Sequence, residues 1–121
     1  MFHHVMIGAN DVEASRRFYD AVLETLGCSP GTPDPKGRYF YVSEGNILAI
    51  SKPIDGNLAT SANGGTIGFN AASPEAVDAW HASGLANGGS ACEDPPGKRQ
   101  NGMYVAYLRD PSGNKICAVH R

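Results

Sequence analysis

The Gly-Asn pairs at 45–46 and 113–114 stand 68 residues apart, and each opens a short apolar run: Ile47 to Ile50 after the first, Ile116 to Val119 after the second. Upstream, the amphipathic stretches around Phe18 and Trp80 stand 62 residues apart, as do their openings at Asp11 and Ser73. A chain that repeats a helical stretch and then a strand hairpin at near-constant spacing is built from two copies of one unit. With 121 residues there is material for one domain, so the two copies must share one architecture. The six residues by which the spacings differ fit the loop Glu93 to Gly102, where an insertion disturbs no core.

Local chemistry supplies the elements of each copy. Phe2 to Ile7 is a β-branched and apolar run that reads as a strand. Asn10 or Asp11 caps the helix that follows, with Asn10 and Glu13 in capping-box spacing; Val12, Phe18, Val22, Leu23 and Leu26 share one face, and Gly27 stops it. Arg38 to Val42 and Ile47 to Lys52 make a hairpin. In the second copy Thr66 to Asn70 is the strand, and Ser73 caps a helix with Pro74 in its first position. Val77, Trp80, His81, Gly84 and Leu85 share one face of that helix, with His81 at the edge as a packed or half-exposed histidine, and Gly88-Gly89 ends it. Asp110-Pro111-Ser112-Gly113 is turn chemistry, so Met103 to Arg109 pairs with Lys115 to Val119. The predicted fold class is α+β: modules 1–53 and 65–121, joined by a polar linker over 54–64, with both helices on one side of a curved sheet and a concave face on the other.

Several partners are excluded. The net charge of −2 shows no basic stripe for nucleic acid or an anionic membrane, and no apolar run reaches membrane-spanning length. The start of the chain lacks the basic and apolar regions of a signal peptide. The three cysteines include no close pair, so the expectation is a reduced, cytoplasmic protein.

The order of His4-Val5-Met6-Ile7, Asn10-Asp11-Val12-Glu13-Ala14-Ser15, Phe18-Tyr19, Leu26-Gly27 and Asp110-Pro111-Ser112-Gly113-Asn114 resembles the vicinal oxygen chelate superfamily of glyoxalases, bleomycin-resistance proteins and extradiol dioxygenases. The resemblance covers essentially the whole chain. It implies paired βαβββ modules forming a cupped mixed sheet, often in a homodimer, and four metal-ligand positions in the cup. Those positions fall on His4, Ala49, Thr66 and Cys117, and of these only His4 is a usual ligand of the family. A catalytic divalent ion needs about three protein donors, which this set does not offer. The expectation is therefore no metal, no other cofactor and little or no glyoxalase I activity. What remains is a protein that binds a small, anionic ligand in the cup as a homodimer. The alternative is a divergent, metal-dependent lyase (lactoylglutathione lyase-like), isomerase or dioxygenase. No catalytic residue is assigned.

The ligand-pocket residues expected from the sequence are His4, Arg38, Ala49, Thr66, Tyr104 and Cys117. Strand alternation turns Cys117 to the concave face, either as a small buried hydrophobe, the preferred reading, or as a thiolate activated by His4. A four-residue turn over Asp110 to Gly113 would place Ala106 opposite Cys117 and bring Tyr104 onto the same face; shifted by 68, it sets Arg38 opposite Ala49, a clamp for a carboxylate or phosphate. Lys98 and Arg99 are either a lid over an anion or solvated loop charges. His3 and His120 alternate away from the cup, while Phe18 and Trp80 are core anchors.

Overall fold

The computed structural model describes residues 1–121. Strand β1 (Val5–Gly8) leads into helix α1 (Val12–Glu24), followed by β2 (Thr32–Pro33), β3 (Tyr39–Ser43) and β4 (Asn46–Ser51). The second copy runs β5 (Ile67–Asn70), α2 (Pro74–Ala86), β6 (Ser90–Ala91), β7 (Gly97–Lys98), β8 (Tyr104–Arg109) and β9 (Lys115–His120). One sheet has the order β1-β4-β3-β2; the other has β5-β9-β8-β6, with β7 also against β8. Each is mixed: the first strand of each copy is parallel to the last, and the hairpin is antiparallel.

Register makes the repeat quantitative. Val5 faces Leu48 in the first sheet as Ile67 faces Ile116 in the second, reproducing both spacings at one pair of contacts. The helices start as their caps dictate. Asp11 Oδ1 accepts from Ala14 N at 3.0 Å, and Ser73 Oγ accepts from Ala76 N at 3.1 Å. Asn10 forms no capping box; its side chain instead exchanges hydrogen bonds with the Ala59 backbone, and Glu13 turns to Arg16 and Tyr39.

The two helices pack on each other and each lays its buried face on the sheet of its own module, α1 on β4 and α2 on β8 and β9, in a single core. Phe18, Tyr19 and Val22 of α1 join Val77 and Trp80 of α2, with Leu48 and Ile50 from the first sheet and Leu108, Ile116 and Ala118 from the second. Phe18 and Trp80 are fully buried, each contributing about 2–3 kcal/mol of hydrophobic stabilisation. Leu85, expected on the buried face, is 45% exposed, because α2 approaches its neighbours through Gly84 instead. A Cβ on Gly84 would meet Leu108 Cδ1 at 2.2 Å and Phe18 and Val22 at 3.3 Å, so the close helix contact requires a residue without one. Position 84 is the counterpart of position 22, and Val22 helps fill the space that Gly84 leaves.

The copies are tied together at one further point. The Asp110 carboxylate, nearly buried, accepts from Tyr19 Oη at 2.7 Å and from Ser112 N, Asn114 N and Asn114 Nδ2 at 2.9 Å each. Asn114 Nδ2 also donates to Gly8 O, and Asn10 N donates to Ser112 Oγ. The turn that looked like a hairpin device is thus also the latch between modules.

Candidate functional site

Each sheet has one face in the core and one turned away from it. In the first module Tyr39, Tyr41, Leu48 and Ile50 take the helix side. Alternation then gives Phe40, Val42, Ile47, Ala49 and Met6 to the concave face, with Met6 beside Ala49 and Phe40 beside Ala49 on its other flank. This floor is apolar: Ala49 is a fully buried methyl, and Val42 and Met6 are 63% and 43% exposed.

Arg38 does not stand opposite Ala49 as expected; Phe40 does. The hairpin turn is only two residues, Glu44 and Gly45, at φ 50° and 79°, the positive pair of a type I′ turn. Arg38 lies two residues before Phe40 and on its side. Its guanidinium is committed to Asp34, holding that carboxyl below its usual range, and rests 5.2 Å from the Phe40 ring. His4 precedes β1 and is exposed. His3, expected to turn away, meets it edge to face, with the two Nδ1 atoms 2.9 Å apart and one supplying the proton.

The second module carries a different floor. Ile116, Ala118, Ala106 and Leu108 enter the core. Lys115, Cys117 and Val119 of β9 therefore share the concave face with Arg109, Tyr107 and Val105 of β8 and with Gly68 of β5. Tyr107 is the residue opposite Cys117, and Tyr104 is not on this face at all. The loop from Asp110 to Asn114 has five residues, not four, because Asn114 is drawn into the latch; the slip of one reverses every face on β8. Tyr104 packs on the helix side and donates from its hydroxyl to Asp78 Oδ1 of α2 at 2.8 Å, which raises its pKa.

Cys117 is 7% exposed, and burial pushes its thiol up, so the sulfur is a protonated, small hydrophobe. Thr66 is exposed just ahead of β5. Lys115 crosses the Tyr107 ring, its nitrogen 5.0 Å from the centroid, and forms an ion pair with Glu93 that raises its pKa. The Arg99 guanidinium donates to the carbonyls of Asp94, Pro95 and Gly97 and so folds its own loop. His120 turns to the Ala71 carbonyl. Sequence reasoning missed Lys115, Tyr107 and Gly68. Alternation from Cys117 already put Lys115 on its face; Tyr107 was hidden by the length of the turn.

The Glyoxalase/Bleomycin resistance protein/Dioxygenase superfamily profile matches residues 1–118. The chain belongs to this superfamily. A glyoxalase/bleomycin resistance protein from Albidiferax ferrireducens T118 is 58% identical over 100% of this chain and 98% of its own, with a TM-score of 0.96. A glyoxalase-related enzyme from Fulvimarina pelagi has a TM-score of 0.80 at 23% identity, over 100% of this chain and 88% of its own. Lactoylglutathione lyase from Agrobacterium tumefaciens has a TM-score of 0.70 at 22% identity, over 99% and 92%; these last two show the fold alone. Among curated proteins no relative matches. No helix is long and apolar enough to cross a membrane.

The superfamily's divalent ion does not fit the residues that stand where the resemblance puts its ligands. Ala49 offers a methyl and Thr66 a hydroxyl, a poor donor, so His4 and the buried thiol of Cys117 are two donors at most, one short of the set a catalytic ion needs. Nowhere in the chain do three His, Cys, Asp or Glu side chains come together in a metal-binding group.

Proposed function

We propose that this protein is a metal-independent small-molecule-binding member of the superfamily, which takes a small anionic ligand on the concave sheet surface. The observation that carries this reading is the donor set at His4, Ala49, Thr66 and Cys117. A Lewis-acid reaction needs about three protein donors and an open coordination position, and second-shell groups cannot replace a missing donor. The same surface without its ion is still a shaped, largely apolar face with cations at its margins, Arg38 in one module and Lys115 in the other, which suits ligand capture.

The protein works as a homodimer in this reading. Support comes from the apolar side chains exposed on or near the first module's concave face, Met6 and Val42, together with Phe2, Ile54 and Leu58 elsewhere on the surface. Light scattering should give twice the 12.7 kDa chain mass; the chain mass itself at micromolar concentration contradicts the dimer. A reducing, cytoplasmic setting suits the three free cysteines. The functional test is a thermal-shift screen of small metabolites, run with and without divalent ions. Stabilisation by small acids that is indifferent to the ion supports the proposal, and stabilisation that appears only with the ion refutes it.

A further inference from the structure

Arg38, Arg109 and Lys115 lie on or beside the concave faces, and they differ in what holds them. Arg38 is fixed by Asp34, four residues away on its own loop, through both Nε and Nη2. Arg109 donates to the Gly113 carbonyl at 2.9 Å and so belongs to the latch turn. Lys115 alone is held by a carboxylate brought from another segment. Glu93 lies two residues beyond β6, its backbone in the left-handed region at φ 58°, and its side chain is 46% exposed. A glutamate in that conformation is uncommon, since a Cβ crowds the backbone there.

Beside this ion pair the sheet presents one aromatic ring and, two strands over, a position without a side chain. The Tyr107 ring lies under the Lys115 ammonium, flanked by Cys117 across the hairpin, with Val105 and Val119 one register step along. On the next strand Gly68 is exposed and has an ordinary negative φ, so no backbone strain calls for glycine there. A Cβ at Gly68 would come 3.2 Å from Cys117 Sγ and 3.8 Å from Val119 Cγ2. Glycine inside a strand often marks a bulge or a close approach to the backbone; here Cys117 Sγ makes that approach, and the open face of the strand is left without a side chain at this point.

We propose that Lys115 is the anchor for the ligand's anion, and that in the free protein Glu93 occupies it as a built-in stand-in for the carboxylate of a small planar or aromatic acid. The acid's body lies along the Gly68 backbone at the edge of the Tyr107 ring; its carboxylate displaces Glu93, which swings away with its loop. This rests on the proposed binding at the concave surface and adds the ligand class and a self-inhibiting contact. A carboxylate ligand must compete with Glu93 for Lys115, whereas a neutral ligand of the same shape need not.

The test uses the full-length protein and two probes of nearly identical shape, phenylacetate and phenylacetamide, followed by amide chemical-shift titration at Gly68, Lys115 and Cys117. Glu93→Gln should tighten phenylacetate about five-fold and Lys115→Met should weaken it by at least about as much, while phenylacetamide is unaffected by either change. Thermal melts of both variants establish that they are folded. Unchanged or weaker phenylacetate binding in Glu93→Gln overturns the proposal, and so does full binding in Lys115→Met. If both probes bind alike in every variant, the anchor is wrong and binding at the concave surface stands. If neither probe moves a concave-face resonance and the metabolite screen is also empty, both fail.

Discussion

The two modules share a register and a core yet present unlike concave surfaces, and the difference shows which positions the fold constrains. Leu48 and Ile50 in the first sheet have Ile116 and Ala118 as counterparts in the second, all buried against the helices. One residue along, on the other face, Ala49 corresponds to Cys117, both small and buried, but Met6 corresponds to Gly68 and Phe40, beside Ala49, to Tyr107, beside Cys117. What packing against the helices keeps is apolar character and not size, since Ile50 has Ala118 as its counterpart, while the other face exchanges a long side chain, Met6, for none at Gly68. The turns differ in the same way. The first is a two-residue reversal with no tie to the other module, and the second is a five-residue latch gripped by α1 and by the end of β1.

The largest expected effect separates those turns. Asp110→Ala removes a nearly buried carboxylate with four hydrogen bonds and strands the Tyr19 hydroxyl, so urea denaturation should show a loss of about 3 kcal/mol. Tyr19→Phe should cost about 1 kcal/mol, since the carboxylate keeps its other donors. Glu44→Ala, in the turn without a latch, should fall within about 0.5 kcal/mol of the wild type.

A smaller effect separates the helices. Alanine is the better helix former, but the Cβ of Gly84→Ala would drive into Leu108, and overpacking should win with a net loss of about 2 kcal/mol in the same assay. At the matching position Val22→Ala should lose about as much for the opposite reason, a cavity.

The smallest concerns the residues that follow Phe18 and Trp80. Tyr19 is buried and bonded, whereas His81 is partly buried, and burial lowers its pKa from 6.5 against the opposing pull of Asp78. A depressed folded-state pKa means that the unfolded chain takes up the proton first. Stability present above pH 6.5 should therefore decline as pH falls through the folded value, and His81→Gln should remove that part of the slope. An imidazole titration midpoint at or above 6.5 in the folded protein would contradict this.

Much of the architecture was legible because each local signal agreed with the repeat: Ser73-Pro74 opened a helix, Gly27 followed the end of one, and the spacings of 62 and 68 reappeared as strand register. The site was less legible. Whether Tyr104 or Tyr107 faces the ligand depends on a single residue of turn length, and that length was set by Asn114 reaching Gly8, a contact 106 residues away in sequence. Arg38 precedes β3 and is held by Asp34 four residues away, a turn contact that strand alternation does not encode. The ion pair of Glu93 with Lys115 depends on a loop whose path no periodicity encodes.

The absence of a metal-ligand set is the central claim, and metal content measures it directly. Purified protein is loaded with excess zinc, nickel, iron or manganese, dialysed, and analysed beside the triple variant Ala49→Glu, Thr66→His, Cys117→Glu. The wild type should return to near zero metal while the variant, given imidazole or carboxylate at all four positions, retains it. About one tightly held ion per chain in the wild type would contradict the account.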